Sequence, residues 1–143
     1  MPQRDADTDI LYWDVDYQPG TLRCEASNGA AYELKTTKAP YALRLTTDSV
    51  AHVFVEVVDE DGLLVKQADN EVQLFVQGAR LLGMENGNIA DTQLNTQRAQ
   101  GRMGRARCHN GRLVAYIEQA SPGQAITVVA TAPYLEGSEL KLR

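Results

Sequence analysis

Apolar and polar residues alternate most regularly in the middle of the chain. From Val50 to Val58, Ala51, Val53, Val55 and Val57 form one set while His52 and Glu56 stand in the other. A period of two predicts a strand with one buried face. Asp59-Glu60-Asp61-Gly62 then turns the chain, because Asp side chains bond their own backbone and glycine accepts the positive φ of a tight reversal. Leu63-Leu64-Val65 resumes extended chain, Ala68-Asp69-Asn70 interrupts it, and Glu71 to Val76 restores the alternation with Val72, Leu74 and Val76 on one face. Two half-buried strands separated by polar turns predict a β-sandwich.

The same pattern extends in both directions. Upstream, Leu11, Trp13, Val15 and Tyr17 alternate with Tyr12, Asp14 and Asp16, Gln18-Pro19-Gly20 has the composition of a type II turn, and Leu22, Cys24 and Ala26 share a face opposite Arg23 and Glu25. Asn28-Gly29 predicts a type I′ hairpin turn into a returning arm, Ala31 to Lys35. The sum is a three-stranded meander. Downstream, strands are expected at Tyr41–Thr47, Arg80–Met84, Arg112–Glu118, Ala125–Thr131 and Glu139–Leu142. The stretch from Glu85 to Gly111 is almost wholly polar, and so long a connection is functional, disordered or hides a short strand, for which Asp91 to Leu94 is the candidate. About seven strands in the second part, with no convincing helix, make an all-β, immunoglobulin-like β-sandwich preceded by a partial three-stranded β-meander.

Thr36-Thr37-Lys38-Ala39-Pro40 offers nothing apolar to bury beyond Ala39, and the proline holds Ala39 extended. A boundary there divides the chain into residues 1–9, a polar and acidic tail expected to be disordered, residues 10–37, and residues 38–143. The tail has no basic start followed by an apolar stretch, so it does not read as a secretory signal.

Several motifs in order carry a family resemblance. Val55-Glu56-Val57-Val58-Asp59-Glu60-Asp61-Gly62, Ala68-Asp69-Asn70 and Gly83-Met84-Glu85-Asn86-Gly87-Asn88 resemble the C-terminal immunoglobulin-like domain of bacterial family-two glycoside hydrolases, the β-galactosidase group. Trp13 to Leu22 and Glu33-Leu34-Lys35-Thr36 are similar to the last strands of the small domain before it, so the likeness runs over roughly residues 10 to 132. Between Thr47 and Val50 this chain departs from the family, with a shorter link into the central strand. In these hydrolases the two catalytic glutamates belong to a (β/α)-barrel far upstream. The resemblance therefore implies an accessory module without the active site, from a parent that is periplasmic or secreted and acts in carbohydrate metabolism. Its partners would be the other domains of that parent.

Composition narrows the alternatives. The chain has 143 residues, 43% of them hydrophobic, which is enough for a core, and no apolar run approaches the about 18 residues of a membrane helix. No membrane partner is expected. A net charge of −5 gives no footprint for nucleic acid, although Arg98, Arg102, Arg105, Arg107 and Arg112 lie in a stretch free of acids, Thr92 to Ile117; without these five the remainder carries −10. They can form one positive face or simply be solvated.

Chemistry is sparse. Asp59, Asp61, Asp69 and Asn70 gather hard oxygen ligands near a glycine, but the position that should open an EF-hand loop is Val57, and hydrogen-bonded turns account for the same residues. No metal site, and no cofactor site, is assigned. Cys24 and Cys108 lack the spacing of a zinc site and fall on opposite sides of the boundary, which argues against a disulfide and for free thiols. Cys108 and His109 are neighbours in sequence, yet adjacent residues point apart and cannot easily share a proton. His52 faces outward. Glycoside hydrolysis needs two carboxylates about 5 to 9 Å apart, and no pocket that would hold such a pair is apparent. No catalytic residue is assigned. Tyr12, Trp13, Tyr17 and Tyr32, four of the nine aromatics, can pack in a core or against another domain, or offer weak carbohydrate contact. Two rivals remain beside the accessory-domain reading: a carbohydrate-binding module and an adhesin-type immunoglobulin-like repeat. The apolar face of residues 10–36 has lost its covering sheet on the accessory-domain reading, which predicts that these strands fold back on the second domain or, in preference, self-associate through that segment.

Overall fold

The structure, a computed structural model, describes residues 3–49 and 51–143; Met1, Pro2 and Val50, the expected opening residue of the central strand, lie outside the described residues. The chain divides into two compact units, Met1–Thr36 and Thr37–Arg143.

The first unit consists of two hairpins. Gln3–Arg4 (β1) pairs with Leu11–Tyr12 (β2), and Thr21–Glu25 (β3) pairs with Ala31–Lys35 (β4), setting Leu22 opposite Leu34 and Cys24 opposite Tyr32. The three-stranded meander is therefore corrected: β2 joins β1 and not β3, and Trp13 to Tyr17 forms no strand. Alternation says which side of a strand would be buried, but it supplies no partner for the backbone. Residues 3–9 comprise β1 and the turn that follows it. The Asp5 carboxylate accepts the amides of Asp7 and Thr8 at 2.9 and 3.0 Å, and Arg4 reaches Asp9 at 2.8 Å.

The second unit is a sandwich. Its strands are Ala42–Thr47 (β5), His52–Val58 (β6), Glu71–Gln77 (β7), Ala79–Glu85 (β8), Ala99–Gln100 (β9), Met103–Arg107 (β10), Arg112–Gln119 (β11), Ile126–Thr131 (β12) and Ser138–Leu142 (β13). One sheet has the order β5-β6-β11-β8 and the other β13-β12-β7-β10-β9. The chain crosses between the sheets from β6 through β9 and from β10 through β12, while β5–β6, β9–β10 and β12–β13 are neighbours within one sheet, the immunoglobulin-like arrangement with a β9–β10 hairpin added beside β7. Val53, Val55 and Val57 of β6 are wholly buried, as are Val72, Leu74 and Val76 of β7, so both central alternations aim at one core. Leu113, Ala115 and Ile117 of β11 and Ile126, Val128 and Ala130 of β12 complete it.

Two of the three Asn-Gly pairs behave differently from one another. At Asn110-Gly111 both residues have positive φ, 52° and 74°, and His109 and Arg112 exchange backbone hydrogen bonds of 3.0 and 3.1 Å, a two-residue type I′ turn on the connection from β10 in one sheet to β11 in the other. At Asn28-Gly29 only the glycine has positive φ, 86°, and Ala26 N–H donates to Ala30 O across a three-residue loop. The expected type I′ turn is thus absent there. The Asn28 side chain, accepting from Ala30 N at 3.0 Å, favours the longer loop.

The hidden strand of the long polar stretch lies later than Asp91 to Leu94. A 3-10 turn spans Asn95–Arg98, and β9 and β10 follow it. In β10 the inward residues are Gly104 and Ala106, so the strand carries almost no apolar signal. Its smallness is required by packing: a Cβ on Gly104 would lie 2.4 Å from Leu81 Cδ2 and 2.6 Å from Met84 Sδ.

Candidate functional site

The residues singled out in the sequence do not come together. Asp59 is almost completely buried, and its carboxylate accepts backbone N–H groups from Lys38, Asp61 and Leu63 at 2.9, 3.0 and 2.8 Å. The Lys38 amide first, then those of Leu63 and Asp61, hold its carboxyl below the usual carboxylate range against the cost of burial. Asp61 pairs with Lys38 at 2.9 Å, and Asp69 with Arg107 at 3.3 Å. The four oxygen-bearing residues thus serve two turns, with Asn70 accepting the Cys108 amide through its carbonyl. Among the described residues no three His, Cys, Asp or Glu side chains converge on a metal position.

Cys108 is buried, and burial, reinforced by Asp69, pushes its thiol up to about 12. Such a thiol carries no nucleophilic thiolate near neutrality. Cys24 is exposed and also free, so only one of the two thiols is buried. Tyr12, Trp13, Tyr17 and Tyr32 are all exposed in the first unit.

The arginine-rich stretch is not a positive face. Arg105 lies 3.5 Å from Glu71, Arg107 meets Asp69, and Arg112 donates to Glu56 at 2.9 Å. Antiparallel pairing of β10 with β7 and of β11 with β6 brings these distant acids alongside. Glu56, expected in water, is held between Arg112 and Arg44, the latter at 2.6 Å, on the outer face of the sheet. Burial opposes its ionised form, but the two guanidiniums outweigh it and lower its pKa.

Arg98 is the exception among these arginines, because it points inward and is 5% exposed. Its Nη2 meets Asp91 Oδ2 at 2.6 Å, and its Nη1 donates to Met84 O at 3.1 Å and to Asn95 Oδ1 at 3.3 Å. A buried guanidinium requires such partners. Around it the loop folds through three Asx turns in series: Asn86 accepts from Asn88 N, Asn88 from Ala90 N, and Asp91 from Gln93 N, each at 3.0 to 3.1 Å. Asn86 Nδ2 also bonds both Asp91 Oδ2 and Arg107 O at 3.0 Å. The Gln93 amide first, then Asn86, then Arg98, keep Asp91 ionised below the usual carboxylate range.

This loop and the end of β8 enclose a half-open cavity of about 160 Å³, lined by Glu85 to Ile89, Asp91, Asn95 and Arg98. Glu85 connects it to the outer face of the four-stranded sheet. Its Oε2 accepts from the Tyr116 hydroxyl at 2.9 Å, which raises the tyrosine pKa, with burial adding to the effect. Tyr116 stands opposite His52, their rings edge-on at 5.6 Å, and Phe54 lies beyond at 6.5 Å from His52. His52 Nδ1 approaches Asp48 at 3.2 Å. Only the length of the polar stretch signalled this site in the sequence, because Arg98 read as one surface arginine among five.

Comparison with known proteins adds the following. The family model described as glycoside hydrolase family 2 C-terminal domain 5 matches residues 34–141. A β-galactosidase of Bacteroides ovatus, BoGH2A, is 30% identical over 99% of this chain, which spans 18% of that protein. A β-glycosidase structure from Bacteroides vulgatus superposes with a TM-score of 0.81 at 21% identity, over 95% of this chain and 19% of its own. A glycosyl hydrolase family 2 member from Bacteroides cellulosilyticus gives 0.80 at 19% identity, over 97% and 20%. These structural likenesses show the fold, and the chain spans about a fifth of the length of each of these relatives.

Proposed function

Since the chain belongs to the glycoside hydrolase family 2 C-terminal domain 5 family, we propose that it is a non-catalytic accessory domain of a β-galactosidase-like hydrolase, one that positions or extends an enzyme whose catalytic carboxylates lie elsewhere in the parent. The observation that carries this reading is the match to a C-terminal domain of these hydrolases over residues 34–141, and three of the acids support it. Glycosidases need one carboxyl held protonated, its pKa raised, to act as general acid. Glu56, Asp59 and Asp91 are all shifted the other way, each held as an ion by guanidinium or backbone N–H donors. They stabilise turns and strands. The adhesin-type reading has no comparable support.

The test uses the purified chain and a chromogenic β-galactoside. No hydrolysis above a buffer blank is expected. Activity that survives a second purification and disappears in Asp91→Asn or Glu85→Gln would overturn the proposal.

A further inference from the structure

The cavity beneath the loop 86–98 has a lining whose chemistry selects among ligands. Asn86 and Asp91 spend their polar atoms inside the loop, which leaves Glu85 Oε1 and the Nδ2 groups of Asn88 and Asn95 to border a space large enough for several ordered waters, or for one six-membered ring whose hydroxyls replace them. An anion is disfavoured, because two carboxylates outnumber the single guanidinium. A free cation is disfavoured as well, since Arg98 already occupies the position among Asp91, Asn95 and Met84 O that a cation would take. A purely apolar molecule would strip water from these amides without returning hydrogen bonds. Neighbouring hydroxyls, each a donor and an acceptor, fit a mixed amide and carboxylate lining. Ile89 at the lip is fully exposed and offers an apolar surface to the C–H side of a ring.

We propose that this cavity is a binding site for a single ring of a neutral sugar, read by Glu85, Asn88 and Asn95 with Ile89 at its lip. The buried Arg98 is a positioning residue. It ties the far end of the loop to its middle at Asp91 and to β8 at Met84 O, so the site exists before ligand arrives. With no aromatic side chain in the lining and only one ring engaged, affinity is weak, with Kd on the order of 1 to 10 mM. The proposal does not rest on the accessory role: a chain that neither hydrolyses nor binds sugar loses this inference and keeps that one.

The test is a titration of the full chain, followed by amide chemical shifts, with methyl β-D-galactopyranoside and with sodium D-glucuronate up to about 100 mM, tenfold above the expected Kd. Saturable shifts confined to residues 85–98 and Tyr116 are expected for the galactoside, with glucuronate at least about tenfold weaker. Asn88→Ala and Asn95→Ala should each weaken binding about fivefold, the loss of one hydrogen bond. Ile89→Asp, at an exposed position that cannot unfold the chain, should weaken it as well, and it decides the matter if the asparagine variants melt early. Absence of saturable shifts in this loop, equal binding of glucuronate, or wild-type binding by Ile89→Asp would each overturn the proposal.

Discussion

The two units of this chain use the same alternating pattern with opposite outcomes. In residues 37–143 the alternation of β6 and β7 leaves Val53, Val55, Val72 and Leu74 without exposure. In residues 3–36 the equally regular alternation leaves Leu11, Trp13, Val15, Leu22 and Leu34 between 46% and 60% exposed. The difference is the second layer. A strand buries one face only when another sheet is laid against it, and the first unit holds two two-stranded sheets with no second layer of its own. Periodicity states an intention to bury a face, and the strand's own sequence does not supply the partner that fulfils it.

The strongest way to break this contrast is to place a charge at the same phase in both units. Val55→Asp should unfold the second unit, since an unpaired buried carboxylate costs several kcal/mol against a total of about 5 to 15. Leu22→Asp should leave the melting temperature of the second unit unchanged. Thermal unfolding followed by circular dichroism compares them, and equal losses would show that the phases are misassigned.

Next in size is Gly104→Val. The new side chain meets Leu81, Met84 and the carbonyl of Arg98, so overpacking of about 1 to 3 kcal/mol is expected, with faster amide exchange in residues 86–98 as the loop is displaced. Glu56→Lys follows, at about 1 to 2 kcal/mol, because it sets a third cation between Arg44 and Arg112 where a half-buried carboxylate stood. A loss as small as that of an ordinary surface substitution would return Glu56 to the solvated role its sequence position suggested.

Acid should act on the second unit more gently. Glu56, Asp59 and Asp91 have folded pKa values below their unfolded ones. Their stabilisation is therefore complete above the unfolded values near 4 and is lost as pH falls below them toward the folded values. Melting temperature measured from pH 7 to pH 2 should be flat and then decline only below about pH 4, with the decline shallower in Asp59→Asn.

The smallest stability effect is expected from removing the first unit altogether. A chain beginning at Lys38 should melt where the full chain does, while sedimentation at tens of micromolar should show the full chain associating through residues 10–36 and the shortened one monomeric. A monomeric full chain would sink the self-association.

Much of the sandwich was legible from alternation and turn chemistry. Val53, Val55 and Val57 announce their face, and Asp59 with Gly62 announces a turn. These are local properties, written within a few residues of where they act. Gly104 and Ala106 could not announce β10, because their role is to be small beneath Leu81 and Met84, and those neighbours arrive from β8. Nor could Arg98 be told from Arg102, Arg105 or Arg107. What distinguishes it is the meeting of Asp91, Asn95 and Met84 O around one guanidinium, a burial that only loop closure creates. The sequence by itself thus determined the all-β class, the inward phase of the central strands and the turn at Asp59 to Gly62, since each depends on the period or the φ of adjacent residues. Tertiary structure alone decided which acids pair with which arginines, where the small-residue strand lies and that a cavity exists beside Glu85, since each depends on atoms brought together across tens of residues.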